Sequence, residues 1–72
     1  MTTIEKLADT VKQARKAARL SQDELADLSA ISRRPVYLLE SGRGAVRIDS
    51  LIRMLDALGL ELEIRPKRAK DD

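Results

Sequence analysis

Seventy-two residues leave room for one domain, and 14 Lys and Arg stand against 12 Asp and Glu with no Cys and no His. A chain this short rarely gains more than ~3–5 kcal/mol from its own core, and with disulfides and Cys/His metal sites excluded, the support to expect is a second copy of itself. No apolar run approaches the roughly 18 residues of a membrane span, the start lacks the basic and apolar regions of a signal peptide, and no glycine-rich phosphate loop or convincing carboxylate pair argues for catalysis, so a cytoplasmic non-enzyme without cofactor or metal is expected.

Helical periodicity runs through most of the chain. The spacing of Ile4, Leu7, Val11, Ala14 and Ala18 predicts a first helix from about Ile4 to Arg19, with Thr2 and Glu5 fitting a reciprocal capping box. A second, short helix is predicted over about Gln22 to Leu28. Ser21 is its cap and Glu24 stands three residues on, while Leu25 and Ala26 face inward. After a tight turn at Ser29-Ala30-Ile31, Ser32 opens a third helix over about Arg33 to Glu40. Its inner residues are Val36 and Leu39, and Gly42 stops it. The fourth helix is predicted over about Ile48 to Leu58, with Ile48, Leu51, Ile52, Leu55 and Leu58 as the buried face and Gly59 as its end. The period then becomes two: Leu60, Leu62 and Ile64 alternate with Glu61, Glu63 and Arg65 before Pro66, as in a half-buried strand. A lone strand leaves its backbone unpaired, so it is expected to pair with its own copy across a two-fold axis; an extended tail lying on the helices is the alternative.

Charge is unevenly spread. Residues 33–47 hold Arg33, Arg34, Arg43 and Arg47 against Glu40 alone, a net +3, whereas residues 48–63 sum to −3. A short basic stretch in a balanced chain fits a local anion-binding face or a merely solvated arginine face. Two short helices joined by a turn of three or four residues leave the second exposed, and such a helix fits the major groove of duplex DNA with its N-terminal residues nearest the bases. Here those residues are Ser32, Arg33 and Arg34.

The 23 residues from Ser21 to Arg43 resemble the helix-turn-helix of the phage-repressor (XRE, Cro-like) family. Gln22, the pair Leu25-Ala26, the Ile31-Ser32 turn, Val36, and Leu39-Glu40 followed by Gly42-Arg43 carry the likeness. The resemblance implies an all-α, lambda-repressor-like domain over residues 3–65, with the terminal strand shared between the subunits of a homodimer and residues 66–72 as a short charged tail. It further implies that Arg33, Arg34 and Tyr37 read bases, that Ser21, Gln22, Ser32, Arg43 and Arg47 complete the DNA contact, and that Leu60, Leu62 and Ile64 hold the dimer together. Gln22 could equally be a routine first-turn residue, and Leu38 could touch a thymine methyl or simply lie on the surface. In relatives a glutamate closing the third helix bonds an arginine of the first, the places held here by Glu40 and Arg15.

Two departures from the family pattern stand out. Ala30 occupies a turn position where glycine is usual. Pro35 disfavours helical geometry at Arg34, so the third helix could begin at Pro35 with Arg34 as its cap. The four helices with an acidic fourth and a terminal strand are most similar to HipB-type antitoxin repressors. That likeness implies a nucleoid-associated dimer on an inverted-repeat operator, with a HipA-like kinase toxin as a further partner. A stand-alone repressor, or a toxin-binding module without DNA binding that uses Leu28, Leu38, the acidic fourth helix or the tail, is the alternative.

Overall fold

A computed structural model describes residues 2–43 and 45–67. Most of the tail beyond Pro66 therefore lies outside the described residues. Four helices follow one another: α1 (Thr3–Ala17), α2 (Gln22–Ser29), α3 (Arg33–Glu40) and α4 (Ile48–Ala57). None is long and apolar enough to cross a membrane.

Local chemistry sets the helix ends. Thr2 caps α1: its hydroxyl accepts from the Glu5 N–H at 3.2 Å, and its own N–H donates to Glu5 Oε1 at 2.8 Å. Ser21 and Glu24 repeat the arrangement at α2, at 3.0 and 2.8 Å. Two amides that would otherwise lack partners are satisfied in each case. Each helix is followed within two residues by one in the left-handed region: Arg19 (φ 60°), Ala30 (φ 58°), Gly42 (φ 76°) and Gly59 (φ 72°). After α1 the Leu20 N–H turns back to the Arg15 carbonyl at 3.1 Å, and after α2 the Ile31 N–H does the same to Ala26 at 3.1 Å. These bonds close the helices without glycine, in a conformation that side chains resist.

Val11, Leu25, Ala26, Val36, Leu39, Leu51, Met54 and Leu55 form the core, and α2 lies inside the group, against both α3 and α4. Leu7, Ile31, Val46, Leu58 and Leu60 close over it. The buried faces differ from the expected stripes at two places. On α1, Ala8 is buried beside Val11, whereas Ile4 is 39% exposed and Ala18 is exposed, because both ends of the helix project past the core. On α4, Met54 is fully buried while Ile48 and Ile52 are 60% and 42% exposed. The apolar arc of α4 is wider than the surface it packs on, so the helix settles on Leu51, Met54, Leu55 and Leu58 and leaves the two isoleucines outside.

From Leu60 to Lys67 the chain is not a strand. Leu60 packs on the core and its N–H bonds the Leu55 carbonyl at 2.8 Å. From Glu61 to Lys67 no backbone hydrogen bond reaches another described residue, and Leu62 and Ile64 are 41% and 89% exposed. The expected strand requires a neighbouring edge, and there is none among the described residues.

Candidate nucleic-acid interface

Helix α3 begins at Arg33, with Ser32 in extended geometry as its cap residue; the Ser32 side chain makes no capping hydrogen bond. Pro35 therefore stands within the first turn, where its missing N–H costs nothing. Arg34 is helical in spite of the proline after it, and the start at Pro35 is not adopted. Val36, Leu39 and Glu40 are the buried residues of α3. Arg33, Arg34 and Tyr37 lie on the exposed side, Tyr37 being 43% exposed and the Arg33 side chain 63%. Leu38 is half-buried at the margin of that face.

The inner end of α3 is tied to the rest of the molecule through Glu40. Its side chain is 2% exposed and takes both oxygens to Arg15, from Nε at 2.6 Å and from Nη2 at 2.8 Å. Arg15 Nη1 also donates to the Leu20 carbonyl at 2.8 Å. Such a two-pronged pair fixes orientation as well as charge. The hydrogen bond to Glu40 holds the Arg15 guanidinium above its ordinary pKa, outweighing the opposing effect of burial, so Arg15 stays charged. Gln22, on the first turn of α2, donates from Nε2 to Glu40 Oε1 at 3.1 Å. One carboxylate thus joins α1, the turn after it, the start of α2 and the end of α3.

The remaining expected contact residues lie outside α3. The Ser21 hydroxyl accepts from the Glu24 amide and is exposed at the start of α2. Arg43 is exposed just past Gly42. Arg47 precedes α4 and is 84% exposed, with its guanidinium near Asp49 at 3.3 Å. Leu60, Leu62 and Ile64 belong to a different part of the surface. There Leu60 and Leu62 border an open, mainly apolar groove together with Leu7 and Leu55.

Two residues at this face carried no functional expectation. Asp23 Oδ1 accepts a hydrogen bond from the Tyr37 hydroxyl and lies 3.5 Å from Arg33 Nε. Arg53, from α4, reaches the turn between α2 and α3 and donates to the Ala30 carbonyl at 3.3 Å. In the sequence Asp23 reads only as a first-turn carboxylate that suits the helix dipole; its partners are 10 and 14 residues away, and no periodicity links them. Among the described residues no three His, Cys, Asp or Glu side chains converge as metal ligands would.

Two short helices joined by a left-handed turn, the second held from behind and basic on its outer face, define a helix-turn-helix fold of the kind that places its second helix in a DNA groove. The family model described as a helix-turn-helix domain matches residues 6–66, and the chain belongs to that family. Among solved structures, a chain of the HipA-HipB-O2-O3 complex is similar to it, with a TM-score of 0.79 at 19% identity over 94% of this chain and 96% of that one. At that identity the likeness is one of fold. No curated protein matches the sequence.

Proposed function

We propose that this protein is a sequence-specific transcriptional repressor that binds an inverted-repeat operator as a homodimer, and that it is the antitoxin of a HipBA-like operon. The observation that carries the DNA-binding reading is α3 itself: Glu40 locks its inner end, while Arg33, Arg34 and Tyr37 project from its outer face within a segment of net charge +3. An arginine can bond guanine O6 and N7 together, a pairing worth roughly 1–3 kcal/mol of discrimination. Ser21, Gln22, Ser32, Arg43 and Arg47 complete the contact on the phosphates, with α2 presenting its N-terminus to the backbone.

Dimerisation pairs residues 60–65 with the same residues of a second copy. The backbone of residues 61–67, which bonds no other described residue, and the exposed Leu62 and Ile64 support this, since an added strand would pair the one and cover the other. Two recognition helices then face successive major grooves, roughly 34–36 Å apart, and the bound dimer keeps polymerase from a promoter. The antitoxin role is supported by the likeness of fold to a chain from a HipA-HipB complex. Its partner is a HipA-like kinase, and the protein works in the cytoplasm on nucleoid DNA.

Selecting bound sequences from a random DNA pool is the experiment that tests the repressor reading. An inverted repeat should emerge, and Arg33→Ala with Arg34→Ala should abolish binding while the dimer persists. With ~6–10 phosphate contacts, affinity should fall about 10³–10⁵-fold between 50 and 200 mM salt. A salt-insensitive interaction would reject the mechanism. The exposed Leu28 and Ile48, 62% and 60% accessible, favour a second reading as a protein-docking module without DNA binding. Repression in cells that survives the double arginine substitution would select it. A kinase-like reading frame beside the gene, whose product co-purifies with this chain, tests the antitoxin role.

A further inference from the structure

The carboxylate of Asp23 holds two of the side chains that the DNA-binding reading aims at base edges. Its Oδ1 accepts the hydrogen of the Tyr37 hydroxyl and lies 3.5 Å from Arg33 Nε. Asp23 has no part in capping α2, because Ser21 and Glu24 form that box between them. Its carboxylate suits the dipole of its own helix and also reaches across to α3.

We propose that Asp23 is a positioning residue that determines specificity: by holding the Tyr37 hydroxyl hydrogen it makes Tyr37 an acceptor-only reader of bases bearing an amino group, and by engaging Arg33 Nε it aims the terminal nitrogens of Arg33 at a guanine. The inference rests on the DNA-binding reading above. A phenol has one hydrogen and can otherwise only accept. With that hydrogen spent on Asp23, the outward lone pair suits adenine N6 and cytosine N4, the donors of the major groove, and faces guanine O6 and thymine O4 as acceptor against acceptor. A hydroxyl free to rotate would tolerate all four bases. The phenol also stays protonated, since the hydrogen bond to Asp23 raises its pKa above the ordinary tyrosine value. For Arg33, the ion pair draws the Nε side of the guanidinium toward Asp23 and leaves the two terminal nitrogens, whose parallel N–H bonds match guanine O6 and N7.

The carboxylate carries an electrostatic cost beside DNA, because it repels phosphate, and Arg33 offsets this only in part. Removing it should therefore act in opposite directions on the two kinds of binding. Affinity for arbitrary DNA should hold or rise while base preference falls. Simple structural damage would weaken both.

The test uses the whole chain. Sites are first selected from a random pool with the wild type. Wild type, D23A, D23N and Y37F are then compared by competition against each single-base variant of the selected site and against random-sequence DNA, with melting curves for all four. The wild type should prefer A or C over G or T by about tenfold at one position of each half-site, the size expected of one good polar base contact. D23A and Y37F should flatten that preference, and D23N, which keeps an oxygen acceptor, should retain part of it. D23A should bind random DNA at least as tightly as wild type. A D23A protein that keeps the amino-over-keto preference overturns the inference while leaving the repressor reading intact. So does one that loses specific and random binding in equal proportion. A wild type that enriches no sequence overturns both. Should D23A fail to fold, Y37F decides alone, because it removes the hydroxyl and leaves Asp23 in place: a preserved preference in Y37F overturns the proposal.

Discussion

Ala30 holds φ 58° with a Cβ, a conformation in which that atom crowds the following carbonyl at a cost of roughly 1–2 kcal/mol. Glycine would remove the clash but lose more chain entropy on folding, so Ala30→Gly should raise stability by about 0.5–1 kcal/mol and the melting temperature by a few degrees. A lower melting temperature would contradict the observed turn. Arg19 bears the same strain at φ 60°. The strain at Ala30 was legible in the sequence, since it stands where the family has glycine; nothing about an arginine betrays a left-handed residue. Glu40 poses the opposite case, a carboxylate that is 2% exposed against an arginine that is 12% exposed. Glu40→Ala leaves Arg15 largely enclosed without its counter-charge and should cost about 3–5 kcal/mol in denaturant unfolding. A shift within the scatter of ordinary surface substitutions would mean that water already compensates the pair.

Helix starts were the most legible elements, because a capping box is local chemistry written in four residues. Thr2 to Glu5 and Ser21 to Glu24 both form as their spacing suggests. At α1 the cap carries a pH dependence. Hydrogen bonds from the Thr2 backbone N–H, foremost, and then from its side chain hold the Glu5 carboxyl below its ordinary value of 4.5. A lowered folded pKa means that the contribution is present above the unfolded value and is lost as pH falls through the folded one. Wild type should therefore lose stability relative to Glu5→Gln as acid is added below the ordinary glutamate range, and the two should differ by a constant amount near neutral pH. Parallel acid titrations of the two proteins would argue that the box does not form in solution. The face of α4 was less legible. Its apolar residues span an arc wide enough to allow several rotations, and the surface offered mainly by α2 selects Met54 over Ile48 and Ile52.

As a whole the molecule buries few large side chains; Leu25, Met54, Val11 and Val36 are the largest fully enclosed. A core of that size leaves little margin, and in the segment past Leu60 the apolar residues Leu62 and Ile64 stay exposed. If that segment is the dimer seam, Leu62→Asp with Ile64→Asp should yield monomers in sedimentation and remove the concentration dependence of melting that association confers on the parent protein. Wild type that sediments as a monomer at high concentration would remove the two-fold arrangement from the proposed function.

The amino-acid order alone settled the number of helices, most of their limits and the basic character of the α3 stretch, because caps, stops and net charge depend on residues close together in the chain. It also marked Glu40 and Arg15, but only through family likeness, since their pairing crosses 25 positions. Which side of α4 is enclosed, that α3 starts at Arg33 ahead of its proline, and that Asp23 meets Tyr37 and Arg33 depended on the packed fold. Each is fixed by where one helix lies against another, and side chains distant in sequence become neighbours only after the core has formed.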